Sequence, residues 1–248
     1  MGFTSLSRRR RRDRPRQPLP ITGVRNLSFR DYPGKLCTTA LVAGCNFRCP
    51  YCTTPDIVLT PHQVETVPRR EVLDALYQKR RFLNGFCISG GEPTLHNALL
   101  PFLFRVKSMG YSVKLDTNGS RPKRIRKLME EKVVDYVALD VKAPLSRYPE
   151  VVRKKVDVGA VNESMKLLRR GGVDYEFRAT MVPGLLDGGD LEEIAQYLVG
   201  SRRFVIRRFM GGRTMCPEYS EVKPYSVQEM WAFRDRVAPY FGDCVLQL

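Results

Sequence analysis

The chain predicts an α/β fold, a partial, open (β/α)6 barrel of the TIM type with parallel strands. Three observations carry this. Strand-length apolar runs alternate with helix-period segments six times, which implies parallel strands joined by right-handed crossovers. Eight such units close a standard barrel, so six leave it open. The polar residues suited to chemistry fall just after the predicted strands, where parallel βα architectures gather their sites.

Each element has its own signal. Residues 36–43 read as the first strand and run into a cysteine loop. Residues 69–83 read as a helix with Val72, Leu73, Leu76 and Tyr77 on one face. Residues 85–89 form the second strand, and Leu95, Leu99, Leu103 and Val106 stripe a helix that stops at Gly110. The third strand, 111–115, precedes a helix carrying Ile125, Leu128 and Met129. The fourth, 134–141, precedes a helix around 161–170 that ends at Gly171-Gly172. After the fifth strand, 175–182, Asp190 and Glu193 have capping-box spacing for a helix through Leu198. The sixth strand is 204–209. Ser226 and Glu229 repeat the capping spacing before a helix with Met230, Trp231, Phe233 and Val237.

Composition bounds the rest. A chain of 248 residues with 43% hydrophobic content suits one domain with a sizeable core. The formal charge is +16, from 42 basic and 26 acidic residues. Residues 1–20 hold seven arginines and one aspartate, or +6, which leaves +10 on residues 21–248. Residues 1–20 are expected to be a disordered, solvated arginine-rich tail. Residues 21–248 form the expected functional domain. The Arg8–Arg12 block has no apolar segment after it and does not read as an export signal. Nucleic acid is not the expected partner. No apolar run reaches eighteen residues, so no membrane span is expected. Seven cysteines, an odd number without a secretory signal, point to a reducing compartment and a cytoplasmic location.

Three of those cysteines, Cys45, Cys49 and Cys52, are spaced Cys-x3-Cys-x2-Cys. A cubane [4Fe–4S] cluster normally takes four thiolates. Three leave one iron open to a substrate or cofactor, as a catalytic zinc keeps an open position. Gly44 permits the bend into the loop, Pro50 stiffens its last step, and Tyr51 sets an aromatic face beside it. A Cys3His zinc site with His62 is the competing reading, although structural zinc ligands come in tight pairs across a longer loop. Cys37, Cys87, Cys216 and Cys244 read as ordinary thiols, and His62 and His96 as loop or surface residues.

Other candidates follow the remaining strands. Gly90 and Gly91 let backbone approach a ligand closely, and Glu92 suits an ammonium-like group. Asp116, Thr117 and Asp140 offer hard oxygens that suit a cation. Lys142 lies two residues beyond Asp140. Arg178, inside the fifth strand, is costly to bury without a partner.

The cysteine run resembles the signature of the radical S-adenosylmethionine (SAM) enzymes. Further similarity lies in Asp31–Lys35, Ser89–Pro93, Asp116–Gly119, Leu139–Lys142 and Val182–Gly184. Together these resemble the activating enzymes of glycyl-radical proteins, in particular the anaerobic ribonucleotide reductase activators, over roughly residues 22–225. The resemblance implies a radical SAM domain over 21–248, with a cluster on Cys45, Cys49 and Cys52 whose fourth iron is chelated by SAM. It implies that Gly90, Gly91 and Glu92 hold the SAM amino group. It places Asp116, Thr117, Asp140 and Lys142 near the SAM carboxylate, with a monovalent cation in some members. It implies that Arg178 contacts SAM and that Tyr51 packs beside it. Reductive cleavage of SAM would give a 5′-deoxyadenosyl radical, which takes a hydrogen atom from a glycine of a partner enzyme. An external donor would supply the electron. Thr53-Thr54 stand where many activators carry His-Asn, and Arg207–Met210 where some carry a SAM-contacting histidine. The alternatives are a small-molecule radical SAM enzyme like 7-carboxy-7-deazaguanine synthase, and a non-catalytic zinc or nucleic-acid-binding protein.

Overall fold

The computed structural model describes residues 18–248, so residues 1–17 of the expected 1–20 tail lie outside the described residues, while Leu19 is buried and Pro20 is hydrogen-bonded, which makes the end of that stretch part of the fold. The strands are β1 (Ile21–Ser28), β2 (Cys37–Val42), β3 (Gly85–Gly90), β4 (Ser112–Thr117), β5 (Tyr136–Asp140), β6 (Asp174–Met181), β7 (Arg203–Arg208) and β8 (Asp243–Gln247). They form one eight-stranded sheet in sequential order, with β1 antiparallel to β2 and every later pair parallel. The helices are α1 (Pro55–Leu59), α2 (Arg69–Lys79), α3 (Leu99–Lys107), α4 (Pro122–Glu130), α5 (Tyr148–Val152), α6 (Val158–Arg169), α7 (Gly188–Tyr197) and α8 (Val227–Val237). β1 and β8 do not pair, so the sheet stays open.

The six expected strands are β2–β7. The two edge strands are additional, and both lack a clear apolar signal. β1 exposes Arg25, Asn26 and Leu27, and β8 buries no residue fully. One helix start also differs. The capping box that opens α7 joins Asp187 and Asp190, three residues ahead of the expected pair. Leu95 belongs to a short 3-10 turn before α3.

Period-two alternation divides each strand. Val113 and Leu115 of β4, Phe177 and Ala179 of β6, and Phe204 and Ile206 of β7 join the main apolar core. The intervening positions face the concave side and carry charge: Lys114, Asp116, Glu176, Arg178, Arg203 and Arg207. The N-terminal ends of the strands are plugged by Tyr32, Cys37, Cys87 and Tyr136, a separate buried cluster. Tyr32 comes from the Asp31–Lys35 motif, which therefore closes the floor of the barrel. Asp31 accepts from Thr39 Oγ1 at 2.6 Å and holds that motif to β2.

Candidate active site

The chain leaves β2 through Gly44, whose φ of 89° lies in the region glycine adopts freely. The loop that follows is tied at its entrance: Ala43 N–H donates to Pro20 O (2.9 Å), and Gly44 N–H to Ile57 O of α1 (2.6 Å). His96 Nε2 lies 2.8 Å from Ala43 O. His96 is thus a loop residue, as expected, half-buried in a structural contact. Within the loop, Cys52 N–H donates to Cys49 O (3.0 Å), and Arg48 donates to the carbonyls of Cys45 (2.8 Å) and Phe47 (2.7 Å). A late segment crosses the same loop. Cys216 N–H donates to Pro50 O (2.9 Å), Arg213 pairs with Asp56 at 2.6 Å, and Met215 packs on Ala43, Ile57 and Val58.

Cys45, Cys49 and Cys52 line one cleft of about 370 Å³ at the C-terminal ends of the strands. Burial pushes the Cys45 thiol up to about 11 and raises that of Cys49. Thiolates here therefore require a cation to offset desolvation. Donors already face the sulfurs: Phe47 N–H lies 3.4 Å and Asn118 Nδ2 3.9 Å from Cys45 Sγ. Among the described residues no three His, Cys, Asp or Glu side chains converge tightly enough for one metal ion. Three thiols around one cleft suit a cluster. His62 is exposed and outside the cleft lining.

Gly90 and Gly91 line the cleft, yet backbone packing already requires both. A Cβ on Gly91 would stand 2.0 Å from Gly44 O, and one on Gly90 (φ 108°) 2.5 Å from Val42 N. The turn docks through Gly91 N–H to Val42 O (2.8 Å) and Glu92 N–H to Gly44 O (2.7 Å). Glu92 departs from its expected placement. It is wholly buried and does not line the cleft. Its carboxyl accepts from Thr94 N–H (3.0 Å), Thr94 Oγ1 (2.5 Å), Thr117 Oγ1 (2.8 Å) and Asn118 N–H (2.6 Å). Burial raises its pKa while these donors oppose the rise. Glu92 thus fastens the β3 turn to the β4 turn, and Thr117 is part of the same fastening.

Asp116 and Asp140 also differ from the expected hard-oxygen pair. Each is matched by cations instead. Asp116 meets Lys114 Nζ at 2.7 Å and Arg178 Nη1 at 3.1 Å. Asp140 meets Arg178 Nε at 2.7 Å and Lys142 Nζ at 3.1 Å. Burial would raise the Asp116 carboxyl, yet Arg178 and Lys114 bring it down to about 2. The same contest, won by Arg178, Lys142 and Arg207, holds Asp140 lower still. Both carboxylates are thus already paired with cations of the protein. Arg178 is buried, as expected of a residue that needs partners.

The structure adds residues that the sequence reading passed over. Lys114 and Glu176, both buried on the concave face, join the ionic network at 3.7 Å. Their alternation with Val113, Leu115, Tyr175 and Phe177 was a usable signal, since charge inside an apolar strand is expensive. Asn118 bridges to Asn46 at 3.0 Å. Tyr51 lines the cleft and meets Phe209 edge-on at 6.5 Å.

Residues 40–198 match the family described as the radical SAM superfamily. The chain belongs to the radical SAM superfamily. Radical SAM enzymes work with a [4Fe–4S] cluster and SAM, and the three-thiol loop with its N–H donors fits the first. A Methanocaldococcus jannaschii protein named as a glycyl-radical enzyme activating enzyme is 34% identical over 194 residues, 76% of this chain and 79% of that protein. The pyruvate formate-lyase-activating enzyme of Streptococcus mutans is 28% identical, covering 79% of this chain and 74% of its own length. The 7-carboxy-7-deazaguanine synthase of Archaeoglobus fulgidus is 30% identical over 69% of this chain and 74% of that enzyme. Among solved structures, Streptococcus suis SuiB superposes with a TM-score of 0.65 at 14% identity, over 83% of this chain and 47% of SuiB. That likeness supports the fold. Among the described residues no helix is long and apolar enough to cross a membrane.

Proposed function

We propose that this radical SAM enzyme generates a glycyl radical on a partner protein, an anaerobic ribonucleotide reductase. The observation that carries the reading is the 34% identity over 76% of the chain to a protein named as a glycyl-radical enzyme activating enzyme. The open sheet adds physical support, because a polypeptide loop can reach the cleft sideways between the unpaired edges of β1 and β8.

In this reading Cys45, Cys49 and Cys52 would hold the cluster, with SAM bound beside it in the same cleft. Bound together, cluster and SAM supply one-electron reductive chemistry and hydrogen-atom abstraction, with the electron from an external donor. The backbone at Gly90 and Gly91, which lines the cleft, would hold the amino acid end of SAM. Glu92 and Thr117 keep that backbone in place. Lys142 and Arg178 offer cations to the SAM carboxylate, and Asp116 and Asp140 hold those cations in position. Tyr51, braced by Phe209, gives the cleft a flat apolar wall.

A second reading has its own support. The 30% identity to a 7-carboxy-7-deazaguanine synthase favours a small-molecule substrate. One experiment separates the two. The reduced, reconstituted enzyme is incubated with SAM and the candidate reductase, and the electron paramagnetic resonance spectrum is recorded. A glycine-centred doublet on the reductase is the expected result. SAM turnover driven by a small molecule, with no radical on any glycyl-radical protein, overturns the reading in favour of the second.

A further inference from the structure

We infer that the lateral opening between β1 and β8 recognises an acidic side chain on the incoming polypeptide, through Arg203, Arg207 and Arg208 of β7. The inference rests on the proposed protein substrate and names the chemistry by which that substrate is chosen.

A second cleft of about 780 Å³ lies behind the gap, bounded by Phe29 and Arg30 on one side and Leu246 and Leu248 on the other. It shares Arg25, Ser89, Asp116, Arg207 and Arg208 with the cysteine-lined cleft. The two form one passage from the side of the molecule to the cofactor site. Its walls carry more positive charge than their carboxylates match. On the concave face Lys114, Lys142, Arg178, Arg203 and Arg207 meet Asp116, Asp140 and Glu176, and Arg203 also pairs with Asp243 of β8, which leaves five cations against four carboxylates. Arg207 comes no nearer to a carboxylate than 3.9 Å, at Asp140, and its Nε donates to Gln247 Oε1 at 3.1 Å. Among the described residues Arg208 has no ion pair, and its Nε donates to Tyr225 O at 2.6 Å. Two buried guanidinium nitrogens are ion-paired without an aligned hydrogen bond, Arg178 Nη1 at 3.1 Å from Asp116 and Arg203 Nε at 3.4 Å from Glu176. Burial first, and then the neighbouring charge of Arg178, lower the pKa of Arg207 against the pull of Asp140, Asp116 and Glu176. A carboxylate entering this passage gains charge-assisted hydrogen bonds from guanidinium groups that folding has partly desolvated.

Three features favour a polypeptide as the carrier of that carboxylate. The rim exposes apolar side chains, with Phe29 76% and Leu248 49% accessible, which suits the flanking residues of a peptide. β1 and β8 each present an unpaired edge at the gap, where extended backbone can pair. Residues 21–248 carry +10 by sequence, which draws an acidic partner surface.

The test uses the cluster-loaded enzyme with SAM and two fluorescent glycine-containing peptides. One carries aspartates flanking the glycine and the other asparagines. The aspartate peptide should bind about tenfold tighter at low salt, and the gap should shrink as salt rises. Arg207→Gln should narrow the gap. Arg208→Glu should reverse it in favour of a lysine-flanked peptide, a reversal that a loss of structure cannot produce. Equal affinities, no binding of either peptide, or an aspartate preference that survives Arg208→Glu each overturn the inference. Succinate binding as tightly as the aspartate peptide also overturns it, by assigning the arginines to a small carboxylate. A glycyl radical formed on the reductase without any aspartate preference sinks this inference and leaves the activation reading intact. An aspartate preference without a radical does the opposite.

Discussion

The two walls of the cleft are built in opposite ways. The wall formed by the turns after β2, β3 and β4 is held by backbone and by completed hydrogen bonds. Gly91 lies against Gly44 with no room for a side chain, and the Glu92 carboxyl receives four donors. The wall formed by β6 and β7 is held by charge, and its Arg207 meets no carboxylate nearer than 3.9 Å. The first wall is finished before any ligand arrives and fixes where a cofactor sits. The second keeps electrostatic capacity in reserve for whatever comes through the opening.

The sharpest way to break the contrast is at the cysteines. Cys49→Ala should abolish both the cluster and SAM cleavage, since three thiols are the minimum for an open-iron cluster. Iron and sulfide analysis and 5′-deoxyadenosine assay check this, and a Cys37→Ala control should keep both. Gly91→Ala comes next. Its Cβ meets a backbone carbonyl at 2.0 Å, so the cysteine loop must move. Cluster loading should fall severalfold, as read from the brown absorbance per chain.

Glu92→Gln tests whether the finished wall depends on its carboxylate. An amide cannot accept from Thr94, Thr117 and Asn118 at once without turning its own N–H2 toward a donor. The expected loss is about 2 kcal/mol, or about 4–8 °C in melting temperature for a chain of this size, read by denaturation. A Glu92→Gln protein with unchanged stability but failed SAM binding would instead make Glu92 a direct ligand contact.

The N-terminal residues sharpen the edge of the first wall. Leu19 is buried and Pro20 O accepts from Ala43 N–H at 2.9 Å. A chain trimmed to begin at Pro18 should cleave SAM within about tenfold of the full rate, 1.4 kcal/mol in barrier terms. One beginning at Ile21 should also lose stability, because it removes that contact beside the cysteine loop. The smallest expected effect is a pH dependence at His96. Burial lowers its pKa below the ordinary 6.5. As pH falls, the unfolded chain takes up the proton first, so the stabilising contribution is present above 6.5 and lost as pH drops through the lowered value. Denaturation midpoints between pH 7.5 and 5.5 should fall more for the wild type than for His96→Gln.

The same contrast explains what could be read from sequence. The first wall is legible because its constraints are local: Cys-x3-Cys-x2-Cys, Gly90-Gly91 and Asp116–Gly119 are short strings whose spacing is the geometry. The six parallel strands are legible because each buries an apolar face. The second wall is assembled across strands, so Lys114, Glu176 and Arg203 come together only through register, such as Arg178 opposite Asp140 and Val205. Asp116 and Asp140 looked like ligands for a cation because their partner, Arg178, lies 62 and 38 residues away in a strand of otherwise apolar character. β1 and β8 escaped because edge strands with one exposed face carry little apolar periodicity.

The bond from Cys216 N–H to Pro50 O has a temporal consequence. Synthesis delivers the cysteine loop early, but the residues that lace it shut emerge more than 160 positions later. Contacts of such long range form late, because closing the intervening chain carries an entropic cost. The loop is therefore unlaced on the ribosome while α2–α7 are being made. Its final shape belongs to the closing stage of folding, after residue 216 has arrived. Cluster insertion has an accessible, still-open loop available throughout that interval, and the arrival of Met215 and Cys216 seals it from behind.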